Sequence, residues 1–315
     1  MNTIYQPHIQ YLVGGVLCFL TLASLVAYIL WKRSPDPKNN LVLKNLVSRI
    51  QAWWVMVIVF AMSLLLEPVG TILLFALLSF LALREFITLT PTRPADYKAL
   101  LGAFFLVIPV NYFLIFINWY NFYAIFIPVW VLAFIPLLSA IGNDVERFLE
   151  RSSEIQWGLL ICVYFLSHVP AVLMLDFPGF SGSTSSLLLF FVIIVQASDV
   201  LQYVWGKLFG KTPIVPLLSP SKTWEGFLGG VGCATALGTA LWWATPFLWW
   251  QATILALIIC LFGFWGGLVM SAIKRDRGIK DYGNTLGGHG GILDRVDSIC
   301  FSAPIFFHLI RFYFT

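Results

Sequence analysis

The sequence predicts an all-α polytopic integral membrane protein of about ten transmembrane helices (9–10), and three observations predict it. Only 11% of its residues are charged against 59% hydrophobic, with a mean hydropathy of +0.87. A soluble domain carries about 25% charged residues, and with so few there is too little polar surface to cover a globule. Apolar runs of ~20 residues, the length a helix needs to cross a bilayer, recur along the whole chain, and no alternating strands suggest a barrel. Finally, the basic residues segregate to one set of alternating loops, as expected of loops on the cytoplasmic side.

The apolar segments lie at 9–31, 51–66, 69–83, 99–118, 122–141, 155–175, 187–205, 227–244, 248–270 and 299–315. No basic residue precedes the first and no small-residue cleavage site follows it, so it is expected as a retained span. Residues 34–50 read as a linker and an interfacial amphipathic helix. The second and third segments are short and separated only by Glu67 and Pro68, which leaves a re-entrant pair as an alternative to two spans. Lys32, Arg33, Lys38, Lys44 and Arg49 follow the first segment, and Arg84, Arg93 and Lys98 the third. Arg147 and Arg151 follow the fifth, Lys207, Lys211 and Lys222 the seventh, and Lys274, Arg275, Arg277, Lys280 and Arg295 the ninth. Of the 19 Lys and Arg only Arg311 lies elsewhere. This segregation places both termini outside and the charged loops in the cytoplasm, in a cell inner (cytoplasmic) membrane. Residues 1–190 form an N-terminal set of helices and 191–315 a C-terminal region that carries the charged motifs.

A net charge of +4 spread over such loops gives no reason to expect a nucleic-acid partner. Cys18, Cys162, Cys233, Cys260 and Cys300 lie in or beside apolar runs, without a C-x-x-C pair, and read as packing residues. The doublets Trp53-Trp54, Trp242-Trp243 and Trp249-Trp250 suit an interfacial aromatic belt, and His168 and His308 read as packing within spans.

Two basic loops also hold acids and glycines, which orientation alone does not require. The first, KTPIVPLLSPSKTWEGFLGG (211–230), offers the Ser219 hydroxyl, the Lys222 cation, Thr223, and Glu225 at the mouth of a span. The second, SAIKRDRGIKDYGNTLGGHGGILDRVDS (271–298), joins Ser271, Lys274, Arg275, Lys280 and Arg295, suited to phosphate oxygens, to Asp281, Asp294 and Asp297, hard oxygen ligands suited to Mg²⁺. Asp294 and Asp297 share a helix face, and glycines flank His289 so that backbone amides can approach an anion. Asp199 is an intramembrane acid, a functional candidate for that reason.

At these residues the chain resembles the phosphatidate cytidylyltransferase (CDP-diacylglycerol synthase) family. The signature S-x-x-K-R-x4-K-D-x-G-…-H-G-G-x-x-D-R-x-D is met by Ser271, Lys274, Arg275, Lys280, Asp281, Gly283, His289, Gly290, Gly291, Asp294, Arg295 and Asp297. The element S-P-x-K-T-W-E-G is met by Ser219, Pro220, Lys222, Thr223, Trp224, Glu225 and Gly226, and a weaker third match spans Asp199 to Gly210. The resemblance implies an all-helical membrane enzyme that transfers CMP from CTP to phosphatidate, giving CDP-diacylglycerol and pyrophosphate. It implies Mg²⁺, with room for a second, monovalent or divalent, cation, and membrane lipids as surroundings; a homodimer is left open. Lys274, Arg275, Lys280, His289, Asp294 and Arg295 are then the catalytic candidates. Asp199, Ser219, Lys222, Thr223, Glu225 and Ser271 would bind substrate, and Asp294, Asp297 and Asp281 would hold metal.

One position departs from the family. The signature is usually preceded by G-D-x-x-E-S, whose Asp helps bind the catalytic metals; here Gly267 stands in its place and Met270 where Glu is frequent. Losing a carboxylate keeps two other readings in view: a catalytically impaired or silent paralogue that binds lipid or nucleotide, and, less favoured, a membrane transporter. A transporter would spread its acids through several spans, whereas these gather at one face.

Overall fold

The structure, a computed structural model, describes residues 7–34, 36, 40–178, 180, 183–283 and 290–315, without the side chains of Leu41 and Val42. Ten long helices run through the described residues. They are α1 (Pro7–Arg33), α2 (Leu41–Leu65), α3 (Val69–Ile87), α4 (Pro94–Phe116), α5 (Tyr120–Ala140), α6 (Phe148–Met174), α7 (Thr184–Phe209), α8 (Trp224–Ala240), α9 (Trp249–Asp276) and α10 (Leu293–Phe314). All but α8 and α10 are long and apolar enough to cross a membrane; α8 has 17 residues, and α10 carries Asp294, Arg295, Asp297 and Arg311. The strands β1 (Pro213–Val215) and β2 (Ser219–Thr223) form an antiparallel hairpin between α7 and α8, pairing Pro213 with Thr223 and Val215 with Ser219.

The amphipathic segment expected near 34–50 is not a separate helix from residue 41 onward, where it forms the first turns of α2. Nothing between Leu41 and Trp54 interrupts helical hydrogen bonding, so the polar turns run straight into the apolar ones. With 25 residues in α2 and 19 in α3, each has the length of a span, so a re-entrant pair is not needed.

Burial divides the helices. α6 is the most enclosed, with 72% of its apolar window buried, while α1 and α2 bury 17% and 6% of theirs and offer Leu, Ile and Phe to lipid. The core draws on every helix from α3 to α10, with Phe86, Tyr112, Leu159, Phe191, Ile259 and Phe307 among its members. α8 reaches α7 closely because Gly230 lies where a Cβ would come within 2.5 Å of Gln202 Cα. All five cysteines are free, as expected of packing residues.

Prolines shape α5, and α6 compensates for them. Pro128 and Pro136 have no N–H, so the carbonyls four residues earlier, at Ala124 and Leu132, lose their helical donors. The Tyr164 hydroxyl of α6 donates to the Ala124 carbonyl at 2.9 Å, and the Gln156 amide of α6 donates to the Leu132 carbonyl at 2.6 Å. Side chains of a neighbouring helix thus restore what lipid cannot supply. A buried ion pair fastens the loops beside these helices. Arg151, 1% exposed, donates to Asp96, fully buried, at 2.9 Å, and to the Asp144 carbonyl at 2.7 Å.

Candidate functional site

The start of α10 leaves its first backbone amides without helical partners. Two carboxylates take those of Ile292, Leu293 and the preceding Gly291. Gly291 N–H donates to Asp294 Oδ2 at 2.9 Å, while Ile292 and Leu293 N–H donate to the two oxygens of Glu85, each at 2.9 Å. Glu85 comes from the last turn of α3 and is 8% exposed. Described amides at this glycine-rich turn therefore meet protein carboxylates, where the sequence suggested they would approach a ligand anion. Gly291 is needed for this, since a Cβ there would overlap Glu85 Oε2. Gly290 has φ +80°, a left-handed conformation natural to glycine.

Asp294 is engaged through both oxygens. Oδ1 pairs with the Lys274 ammonium of α9 at 2.8 Å, and Oδ2 also accepts from Tyr282 N–H at 2.8 Å. Arg275 donates to the Leu218 carbonyl at 3.2 Å, tying the hairpin turn to the end of α9. Arg277 pairs with Glu154 of α6. Lys280 and Asp281 are exposed at the loop surface, and Arg295 is half-buried. His289 lies outside the described residues.

The hairpin is held by the residues that open α8. Thr223 Oγ1 caps the helix by accepting from Gly226 N–H at 3.2 Å. Glu225 Oε2 accepts from Lys211 and Thr212 N–H at 3.0 and 3.2 Å. Both brace the loop. The Ser219 and Ser221 hydroxyls sit 3.4 Å apart at its exposed turn.

Lys222 instead turns inward. Its ammonium lies 5.0 Å from the centroid of the Phe264 ring of α9, and a Cβ built on Gly267 would stand 2.8 Å from it. That same Cβ would stand 3.8 Å from the Ser298 hydroxyl. Ser298 in turn touches two acids: its hydroxyl donates to Asp199 Oδ1 of α7 at 3.1 Å, and its amide to Asp297 Oδ1 at 2.8 Å. Ser271, one turn beyond Gly267, donates back to the Gly267 carbonyl at 2.6 Å. Burial lowers the Lys222 ammonium from the ordinary lysine value, with Asp297 and Asp199 acting against that shift. Among the described residues no carboxylate lies within 4.0 Å of it.

Asp199, Lys222, Ser271 and Asp297 therefore meet around Gly267; Lys274 and Asp294 form an adjacent pair; Ser219, Arg275, Lys280 and Asp281 lie toward the water. No group of three or more His, Cys, Asp or Glu that could hold a metal is present among the described residues. Mg²⁺ is commonly bound by one or two carboxylates with substrate phosphates completing its shell. Asp199 and Asp297, joined through Ser298, fit an ion of that kind. The sequence reading missed Glu85, Phe264 and Ser298. Glu85 carried one signal, an acid at the end of a span, where a charge needs a partner.

The model of the cytidylyltransferase family matches residues 47–313. An Escherichia coli (strain K12) relative, the uncharacterized protein YnbB, is 38% identical over 305 residues, covering 95% of this chain and 97% of that one. The phosphatidate cytidylyltransferase of Mycobacterium leprae is 46% identical over 118 residues, 36% of this chain and 37% of its own length. That of Aquifex aeolicus is 39% identical over 144 residues, 45% of this chain and 54% of its own length. The chain thus spans nearly all of the first relative, and only a third to a half of the two phosphatidate cytidylyltransferases.

Proposed function

Since the chain belongs to the cytidylyltransferase family, we propose that it transfers the cytidylyl group of CTP to phosphatidate at the cytoplasmic membrane face, forming CDP-diacylglycerol. A phosphatidate oxygen forms the new bond to the α-phosphorus of CTP. The bond from that phosphorus to the bridging oxygen breaks, and pyrophosphate leaves with the electron pair. No general base is needed, because the attacking phosphate is already an anion. Two anions must approach each other, so fixed cations that screen their repulsion contribute most.

The observation that carries this reading is the gathering of Asp199, Lys222 and Asp297 around Gly267, beside the Lys274–Asp294 pair. Lys222 would meet a phosphate oxygen, and Arg275, besides bracing the hairpin, borders its approach from the water. Lys280, Arg295 and His289 would serve the nucleotide from the loop. Asp199 and Asp297 would hold Mg²⁺ together with the phosphates, where the ion supplies charge neutralisation at the transferred phosphorus. Asp294 would set the position of Lys274, and Asp281 would act from the loop surface. Thr223, Glu225 and Ser219 shape the hairpin that presents Lys222, and Ser271, bonded back to the Gly267 carbonyl, lies one turn beyond.

One observation favours a second reading, binding without turnover: position 267 brings no carboxylate to this group. The test is CDP-lipid formation from radiolabelled CTP and phosphatidate in mixed micelles with Mg²⁺, for the unaltered chain, Gly267→Asp and Asp294→Asn. Product from the unaltered chain, lost in Asp294→Asn, is expected. Silence in the unaltered chain with product in Gly267→Asp would favour the second reading. Silence in both, with folding verified, would sink the transferase assignment for this acceptor.

A further inference from the structure

The Lys222 ammonium occupies the space of the side chain that position 267 lacks. Its only described close neighbour of opposite character is the face of Phe264, which offers no lone pair. The nearby acids Asp199 and Asp297 accept from the Ser298 hydroxyl and amide, and neither comes within 4.0 Å of the ammonium. A half-buried ammonium without a contacting acceptor is costly until an anion arrives. A Cβ at 267 would stand 2.8 Å from that ammonium, too close for both to keep their places, so the flexible end of Lys222 would shift aside and a carboxylate there would pair with it. It would consume the positive charge in an internal ion pair, and an incoming phosphate would then need a metal to replace it.

We propose that Lys222 is a built-in cation that takes a substrate phosphate without divalent metal, and that Gly267 is the positioning residue that leaves its ammonium unpaired. The inference rests on the transferase reading for its ligands. The shared chemistry is a phosphate oxyanion, which the nucleotide and the lipid both carry.

The experiment measures equilibrium binding of CTP and, separately, of a short-chain phosphatidate to the purified full-length protein in detergent. Each is measured in excess EDTA and again in Mg²⁺, with folding monitored by thermal unfolding. Three chains are compared: unaltered, Lys222→Met, which keeps an apolar stem over Phe264, and Gly267→Asp. In EDTA the unaltered chain should bind at least one of the two ligands. Charge-assisted hydrogen bonds of typical strength correspond to a roughly 10- to 150-fold loss of that binding in Lys222→Met. Gly267→Asp should lose binding in EDTA and regain it in Mg²⁺. The inference is overturned if the unaltered chain binds only with Mg²⁺, or if Gly267→Asp behaves as the unaltered chain does in EDTA; the transferase reading survives both results. Failure of both ligands to bind under any condition overturns the inference and the transferase reading together. Should Lys222→Met not fold, the contrast between the unaltered chain and Gly267→Asp decides alone.

Discussion

At the residue scale, the start of α10 depends on a contact 207 positions away in sequence, from Glu85 to Ile292. The spacing of 271–298 marked the loop and its helix, but nothing local names the acid that receives the helix amides. Glu85 sits beside Arg84 at a helix end, where it reads as one more loop charge. Gly267 was legible as a departure, yet its neighbour was not, because Lys222 reaches it from another strand of the fold. Glycines here separate into those with a reason and those without. Gly291→Ala would push a methyl into the Glu85 carboxylate, and loss of hydrogen bonds to a charged acceptor costs about 1.5–3 kcal/mol. Gly232, in α8, has nothing within 4 Å of its absent Cβ, so Gly232→Ala should be neutral or stabilise by up to ~1 kcal/mol. Thermal unfolding in detergent should lower the midpoint for the first and not for the second.

At the element scale, apolar length located nearly every helix, because a span must satisfy its own backbone and so announces itself as a long run. Periodicity did not reveal where α2 begins: its polar first turns resembled a surface helix, although they continue into the span. The help that α6 gives α5 was also out of reach. Pro128 and Pro136 mark two orphaned carbonyls, but not the side chains that reach them. A double-mutant cycle isolates one of these contacts. Gln156→Leu should cost about 1–3 kcal/mol by stranding the Leu132 carbonyl in an apolar setting. Adding Pro136→Leu restores an N–H four residues on, so the double variant should recover most of that loss. Additive losses in chemical or thermal unfolding would show that Gln156 acts in another way.

At the scale of the whole molecule, the segregation of Lys and Arg predicts which ends of the helices share a compartment. In a chain with its five cysteines replaced by alanine, Lys98→Cys and Lys280→Cys should react with an impermeant maleimide in inside-out vesicles only. Asn118→Cys, exposed at the turn between α4 and α5, should react in intact cells only. Labelling of Asn118→Cys and Lys280→Cys from the same side would break the orientation. The all-helical membrane class was legible from composition, whereas the enclosed position of α6 was not, since lipid-facing and protein-facing surfaces are equally apolar. The Asp96–Arg151 pair at the mouth of α6 also has a history in time. A ribosome makes the acid 55 residues before its arginine, about 3–11 s earlier at ordinary elongation rates. Burying Asp96 before Arg151 exists would leave a carboxylate without its cation, so its withdrawal from water is expected to wait for that arginine. The expected order of assembly lays down α4 and α5 before the innermost helix closes over the charge.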